Sequence, residues 1–212
     1  MALRKPGRPG AGARPVPSEA EILRRGMEAF AELGYDRASA RELARRLGVS
    51  HNFINDRYGS KATFWRAVVD AALADDQRER RRLLEADVDD AERVRSVIEH
   101  FYQVAVRAPL FGRLLADEFS HESERLDYLY ENYVEPTLGP LIPAVDRLMA
   151  AGRMPVVSMD VLFFAVISPV AGLVQLPLAR RLGRADPGTR ESQERAAREL
   201  AGLIVGGLLG RR

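Results

Sequence analysis

The chain has 212 residues, of which 46% are hydrophobic and 29% charged, so it is long and apolar enough to fold around a buried core. It contains no cysteine, which excludes a disulfide scaffold, a thiolate metal site and a cysteine nucleophile. The formal net charge of +2 hides an asymmetry: residues 1–66 carry 13 basic and 7 acidic side chains, and residues 67–212 carry 19 basic and 23 acidic ones. Residues 1–66 thus have a net charge of +6, and residues 67–212 have a net charge of −4. A basic segment of this kind indicates a polyanionic partner for the first part.

The N-terminal stretch, residues 1–17, is rich in proline and glycine, so we expect a flexible basic arm there rather than a core element. One interpretation is a plain disordered terminus. The other is an arm whose Arg4 and Arg8 enter an A·T-rich minor groove, because the Gly-Arg-Pro sequence resembles a fragment of an AT-hook. Both interpretations stay open at the level of sequence.

Serines suited to helix N-caps divide the next stretch into four predicted helices, of which the third ends near Tyr58. These N-caps are Ser18, Ser39, Ser50 and Ser60. The first two are followed three residues later by glutamate, which is the capping-box pattern. Gly34 and Gly48 are expected to end the first two helices, because glycine tolerates the left-handed backbone found there.

Residues 39–58 have the spacing of a helix-turn-helix, in which two short helices cross at a steep angle. Ala44 supplies the small side chain needed at the closest approach, and Gly48 supplies a tight turn. Ile54 supplies an apolar anchor for the second helix. A generic pair of helices is the alternative, but the local positive charge favours a motif whose second helix enters the DNA major groove.

The remainder of the chain keeps a helical period, with no sustained alternation of apolar and polar residues that would indicate strands. The predicted helices cover residues 90–107, 110–119, 123–150, 158–181 and 190–209. The fold class is therefore all-α.

Residues 161–179 are 19 consecutive uncharged residues, a length that invites a transmembrane interpretation. Pro169, Gln175 and Pro177 within the run argue against it, and a helix buried in a dimer core explains the run better. The last helix adds an apolar stripe to the same interface, made of Leu200, Leu203, Ile204, Leu208 and Leu209.

Residues 18–70 resemble the DNA-binding domain of TetR-family transcriptional regulators. The matching stretches are Phe30–Tyr35, Ser39–Ala44, Leu47–Ser50, Tyr58–Lys61 and Phe64. The chain departs from the family pattern at Asn52, where glycine is usual, at Asn55, where a DNA-contacting tyrosine is usual, and mildly at Tyr58, where phenylalanine is usual.

The resemblance implies an N-terminal three-helix DNA-binding domain at 18–70 and a ligand-sensing and dimerisation domain at 71–212. It implies a cytoplasmic repressor that needs no cofactor, binds a palindromic double-stranded operator and leaves it when a small, mainly apolar ligand binds. A homodimer formed through the last two helices would place its recognition helices about 34–36 Å apart.

The third helix carries the candidate base-reading residues, which are His51, Asn52 and Asn55. Candidate contacts to the DNA backbone or to the helix ends beside it are Ser39, Ala40, Arg41, Ser50, Arg57, Tyr58 and Lys61. For Arg57 a phosphate clamp is favoured over base reading, and for Asp56 an arginine partner is favoured over direct reading. Arg45 and Arg46 are equally compatible with solvation and with DNA binding.

Six aromatic residues of the middle helices are candidates for the ligand pocket: Phe101, Tyr102, Phe111, Phe119, Tyr128 and Tyr133. Ordinary core packing is the alternative for each of them.

Enzyme motifs are missing from the sequence. Glu118 and His121 share a helix face, but a di-iron bundle needs a second such pair, and none is present. We therefore expect no metal site and no catalytic activity. Two hypotheses remain, a ligand-responsive repressor and a helical architectural protein that binds DNA without a ligand.

Overall fold

The computed structural model describes residues 17–210, and these residues form helices and turns without any strand, as the all-α prediction requires. The α-helices within them are α1 Glu19–Leu33, α2 Ala40–Leu47, α3 Phe53–Tyr58, α4 Lys61–Glu85, α5 Asp90–Arg107, α6 Pro109–Glu118, α7 Glu124–Leu129, α8 Glu135–Ala150, α9 Met159–Ile167, α10 Ala171–Val174, α11 Leu176–Arg181 and α12 Arg190–Leu209. The chain divides into two compact units between Val68 and Val69, a point that lies within α4.

Serine hydroxyls cap three of the first four helices, as predicted. Ser18 Oγ accepts a hydrogen bond from the backbone N–H of Glu21, and Ser39 Oγ accepts one from Glu42 at 3.2 Å. Ser60 Oγ does the same for α4. Each bond satisfies a backbone donor that the first turn of a helix leaves without a partner.

The start of the third helix differs from the prediction. The helix begins at Phe53 with Asn52 in the N-cap position, not directly after Ser50. The carbonyl of Ser50 instead accepts from the Phe53 N–H at 3.0 Å, closing a turn across His51 and Asn52. The first α-helical bond therefore runs from Asp56 to the Asn52 carbonyl, and α3 is shorter than the sequence indicates.

The core of the N-terminal unit forms where α1 and α4 approach closely at Gly26. A Cβ atom at this position would lie 2.7 Å from a ring atom of Phe64 and 2.7 Å from a methyl group of Val68. Only glycine leaves room for those side chains. Phe30 and Trp65 complete this core and are fully buried.

The core of the C-terminal unit is built around α5, which packs against α8 and α12. Its members are apolar residues at helical spacing on these helices and on α9 and α10: Val94, Val97, Ile98, Tyr102, Leu141, Val145, Leu148, Leu162, Leu173, Ala197, Ala201 and Val205. Alanines on the inner face of α12 allow its backbone to lie near α5.

The helix predicted at 123–150 is interrupted by a π-helical turn at Tyr130–Val134, between α7 and α8. Pro136 lacks an N–H and cannot continue the α-helical ladder across this point. Two backbone carbonyls there accept hydrogen bonds from side chains: Asn132 donates to the Tyr128 carbonyl, and Thr137 donates to the Tyr133 carbonyl. The wider turn changes which face the neighbouring side chains occupy.

The helix predicted at 158–181 is wrong as a single element. The structure breaks it into α9, a 3-10 turn at Ser168–Val170, α10 and α11. Pro169 and Pro177 cause the breaks, since neither can donate a helical hydrogen bond. Throughout residues 17–210, no helix has the length and hydrophobicity needed to cross a bilayer.

Candidate nucleic-acid interface

The two short helices α2 and α3 pack as the sequence predicts. Ala44 on α2 and Ile54 on α3 are buried. Gly48 between them has φ 72° and ψ 34°, and its N–H points back to the carbonyls of Ala44 and Arg45. Left-handed geometry at Gly48 turns the chain sharply enough to bring α3 across α2.

A guanidinium from α1 fixes the end of α2, a contact that sequence reasoning missed. Arg25 Nη1 donates to the carbonyl of Leu47 at 3.0 Å, and Arg25 Nε donates to Glu21 at 2.7 Å. Arg24 also binds Glu21, and the two guanidinium groups lower the pKa of this carboxyl to about 2. The Arg25–Leu47 contact spans 22 residues, so no local spacing indicates it.

The candidate base readers lie exposed around the start of α3. His51 and Asn52 occupy the turn before the helix, and Asn55 lies on its first turn. All three side chains face solvent, with Asp56 exposed beside them. The geometry is compatible with amide donors and acceptors meeting base edges in a groove.

Lys61 is the first residue of α4, as predicted, and its ammonium group is held in place by Tyr35. Nζ donates to the Tyr35 carbonyl at 3.0 Å and lies 4.0 Å from the centroid of the Tyr35 ring. These two contacts orient the ammonium at the start of α4. The ammonium therefore adds to the positive end of the α4 dipole.

The start of α2 presents Ser39, Ala40 and Arg41. Ser39 is exposed and already caps the helix through its hydroxyl, and Ala40 is half-buried. Arg41 is exposed and forms no ion pair with any residue from 17 to 210. Its guanidinium is thus available to an external anion.

Arg45 and Arg46 are engaged within the N-terminal unit. Both donate to Glu42, and Arg46 also pairs with Glu32 on α1. The Arg45 and Arg46 side chains hold the pKa of Glu42 at about 2. Because carboxylates surround them, their charge is largely neutralised at the surface.

The far end of α3 is joined to α1 through Glu19. Arg57 donates to Glu19 Oε2 through Nε at 2.8 Å and also through Nη2, while the Tyr58 hydroxyl donates to Glu19 Oε1 at 2.6 Å. The Tyr58 ring packs against Phe64, with centroids 4.8 Å apart. Burial, followed by the bond to Glu19, raises the pKa of Tyr58 to about 12. The remaining predicted DNA contacts, Arg4 and Arg8, lie outside the described residues.

The six aromatic residues predicted for a ligand pocket differ from one another in burial and in hydrogen-bond partners within the C-terminal unit. Tyr102 is fully buried in the core, and its hydroxyl donates to the Val166 carbonyl at 2.6 Å. Phe111 is buried, while Phe101 and Phe119 are half-buried.

Tyr128 and Tyr133 meet at a common acceptor on α4. Their hydroxyls donate to Asp70 Oδ1 at 2.6 Å and 2.5 Å. Burial, and then the bond to Asp70, raises the pKa of Tyr133 well above its usual range. These two phenols therefore already have a protein partner, which sequence reasoning did not foresee because Asp70 is 58 and 63 residues away from them.

Glu118 is buried, and its carboxylate accepts from Arg125 Nε at 2.8 Å. His121 is exposed, with Nδ1 3.1 Å from the Asp117 carbonyl. Glu118 thus pairs with Arg125, whereas the His121 ring lies at the surface. Over residues 17–210, no group of three potential ligands is arranged to hold a metal ion.

The N-terminal unit contains a helix-turn-helix, and the unit that follows it is helical. Residues 22–68 match the family model "Bacterial regulatory proteins, tetR family". The N-terminal unit is therefore a tetR-family domain, and the resemblance seen in the sequence is confirmed. No match was found among curated proteins.

Solved structures share the fold over nearly the whole chain. The TetR-family regulator PfmR from Thermus thermophilus is 21% identical, with 92% of this chain and 98% of that chain covered and a TM-score of 0.64. The ketosteroid regulator KstR2 of Mycobacterium tuberculosis is 14% identical, with 92% and 97% covered and a TM-score of 0.65. FadR from Bacillus subtilis, solved with stearoyl-CoA, is 11% identical, with 90% and 99% covered and a TM-score of 0.60.

Proposed function

We propose that the protein is a sequence-specific transcriptional regulator, a repressor that a small, mainly apolar ligand releases from its operator. The packing of α2 on α3 carries the proposal, with Ala44 buried and Gly48 left-handed. This packing leaves the polar side chains of His51, Asn52 and Asn55 exposed around the start of α3. A recognition helix needs one face that packs on the preceding helix and another face that presents polar side chains to DNA.

The proposed DNA contacts divide into two groups. His51, Asn52 and Asn55 read base edges. The backbone group combines cations with the polar groups of helix ends, and it comprises Ser39, Ala40, Arg41, Ser50, Arg57, Tyr58 and Lys61. Outside these two groups, Arg4 and Arg8 of the N-terminal arm would enter an A·T-rich minor groove.

The proposed homodimer uses the outward faces of α9 and α12. Val161 and Phe164 on α9 are 51% and 53% exposed, and Leu203 on α12 is 73% exposed. A Cβ atom at Gly202 or Gly206 would meet no neighbour within 4 Å, so a second backbone has space to approach. Burying these apolar side chains against a second copy would stabilise the dimer.

An apolar ligand is supported by the chemistry of two structurally similar regulators. FadR was solved with stearoyl-CoA, and KstR2 is named as a ketosteroid regulator. A ligand that binds better to a dimer unable to fit the operator would release the protein from DNA.

Binding to the DNA that flanks the protein's own coding region tests this function. Duplexes tiled across that DNA would be titrated with the protein in a fluorescence anisotropy assay, alone and with stearoyl-CoA or a 3-ketosteroid. We expect one inverted repeat to bind in preference to random duplex, and one apolar ligand class to weaken it. If no duplex exceeds random DNA, the proposed function fails. Specific binding that no ligand alters would favour the architectural protein.

A further inference from the structure

Arg57 is a cation on the recognition helix that the fold has supplied with its own carboxylate. Two of its guanidinium nitrogens donate to Glu19 Oε2, at the first turn of α1, 38 residues earlier in the chain. Both side chains remain about half exposed. The pair is therefore formed at a surface that water, salt and an external anion can reach.

The position of Glu19 is fixed by more than its partner. It is the first residue of α1, directly after the Ser18 cap, where the helix dipole favours a negative charge. Its second oxygen accepts from the Tyr58 hydroxyl, and the Tyr58 ring is anchored on Phe64. Glu19 thus holds two adjacent residues at the end of α3 by opposite edges of one carboxylate.

We propose that Glu19 limits the strength of DNA binding by withholding Arg57 from DNA phosphates. The inference rests on the proposed DNA-binding function. A phosphate approaching the end of α3 must displace the carboxylate before it can bind the guanidinium. A surface ion pair is weak enough for this exchange to occur. Breaking the pair still costs free energy, which reduces the net gain from binding a phosphate.

The consequence falls on specific and non-specific binding alike, because contacts with phosphates carry no sequence information. Contacts between base edges and the asparagines at the start of α3 do not involve Glu19. By weakening one phosphate contact, Glu19 lowers the affinity for every duplex and makes that affinity less dependent on salt.

The test compares Glu19→Gln with the wild type on the preferred duplex and on a random duplex, over a series of salt concentrations. The glutamine keeps the size of the side chain and the Ser18 cap but removes the charge. We expect tighter binding to both duplexes with an unchanged ratio of their affinities, and a salt dependence of log K that is steeper by about 0.9, the value for one additional phosphate contact. Between about 50 and about 200 mM salt, one such contact is equivalent to a further loss of affinity of about threefold.

Two controls separate this role from a general change in charge. Glu28→Gln removes a carboxylate from the same helix, but Glu28 pairs with Arg24 rather than with α3, so its slope should match the wild type. In an Arg57→Gln background, Glu19→Gln should leave the slope unchanged. A Glu19→Gln slope equal to the wild type, or an equal increase with and without Arg57, would overturn the proposal.

The outcomes also distinguish this inference from the proposed function. If the wild type shows no preference for any duplex, the function fails irrespective of Glu19. If the wild type is specific and Glu19→Gln has no effect, only the role of Glu19 fails. Thermal unfolding of each variant reports whether the joint between α1 and α3 also contributes to stability, and a change there does not by itself alter a salt slope.

Discussion

Lys61 and Arg57 carry like charges at opposite sides of one short turn, and the protein treats them differently. The ammonium of Lys61 is oriented by the Tyr35 carbonyl and ring, and the guanidinium of Arg57 is neutralised by Glu19. Lys61 lies at the N-terminus of α4, where phosphate groups commonly bind. A cation paired with a carboxylate binds phosphate only in competition with that partner.

Replacing Lys61 with alanine should weaken binding to specific and random duplexes alike, because phosphate contacts carry no sequence information. The slope of log K against log salt should become shallower by about 0.9. Anisotropy titrations at several salt concentrations measure both effects. Arg78→Ala, which removes an exposed charge paired with Asp75 later in α4, is the control and should leave the slope unchanged. An unaltered slope for Lys61→Ala would exclude the phosphate contact.

Asn52→Ala and Asn55→Ala should instead relax base preference. Loss of a bidentate amide contact with an adenine edge costs about 1–3 kcal/mol on the preferred duplex and little on random DNA. Competition binding against single-base variants of the duplex identifies the affected position. Arg41→Ala is the control, since a backbone contact should weaken all duplexes equally. Equal weakening by Asn55→Ala on every duplex would reassign this residue to the DNA backbone.

Sequence alone could predict three of the four N-caps, the glycine of the turn and the small residue Ala44 where α2 packs on α3. Each of these features depends on neighbours within a few residues. The partners of Arg25 and Arg57 could not, because Leu47 and Glu19 are 22 and 38 residues away. The prediction for Ser50 failed for a related reason, since a closed turn at His51 and Asn52 competes with a helical start. The local sequence pattern identifies the first residue of a helix only when no hydrogen-bonded turn directly precedes that helix.

At the scale of elements, carboxylates with low pKa values join the arginines of α1 and α2. A carboxyl whose pKa is depressed in the folded protein stabilises it above the unfolded value and loses that contribution as the pH falls. For Glu42 the window runs from its ordinary value of 4.5 down to about 2. The melting temperature of Glu42→Gln should therefore fall less than that of the wild type across this window.

Circular dichroism melts at several pH values measure the difference. Glu122→Gln is the control, because Glu122 is exposed and forms no ion pair within the described part of the chain. The control should follow the wild-type curve. If Glu42→Gln follows it as well, the pairs with Arg45 and Arg46 contribute nothing in solution.

Asp70 joins α4 to α7 through the Tyr128 phenol and to the π-helical turn through the Tyr133 phenol. Asp70→Ala leaves the buried Tyr133 hydroxyl without its acceptor, which should lower the free energy of unfolding by about 1–3 kcal/mol. Urea unfolding measures the change. In a double-mutant cycle, Tyr133→Phe should lose less in an Asp70→Ala background than in the wild type. Additive losses would show that the contact does not form in solution.

Prolines explain only part of why helix existence could be predicted better than helix continuity, since Pro140 and Pro143 lie inside α8 without dividing it. The helices at 90–107 and 190–209 lack an internal proline and appear with the predicted ends. The regions 123–150 and 158–181 contain prolines and are divided by a π turn and by a 3-10 turn. Apolar periodicity survives such breaks, so it does not reveal them.

For the whole molecule, the near-neutral total charge is the sum of a basic N-terminal part and an acidic remainder. Four of the basic residues of the first part lie within residues 1–16, and many of the others pair internally. Within residues 17–66, Arg41 is a basic side chain that forms no ion pair with the described residues and is exposed to an external anion.

The proposed dimer predicts the effect of a charge on its apolar face. Leu203→Asp should convert the dimer to a monomer, because an aspartate buried in the interface would lose its hydration. Sedimentation velocity measures the molecular mass. Val156→Asp, at a similarly exposed apolar position outside α9–α12, is the control and should remain dimeric. A dimeric Leu203→Asp would place the interface elsewhere.

Selection of duplexes from a random library by the full chain, followed by sequencing, tests sequence-specific DNA binding most directly. We predict enrichment of an inverted repeat whose half-site centres lie about one helical turn apart or slightly more. We also predict that Asn52→Ala or Asn55→Ala protein enriches a motif degenerate at the positions these residues read. A folded protein that enriches no sequence above the input library would contradict sequence-specific DNA binding.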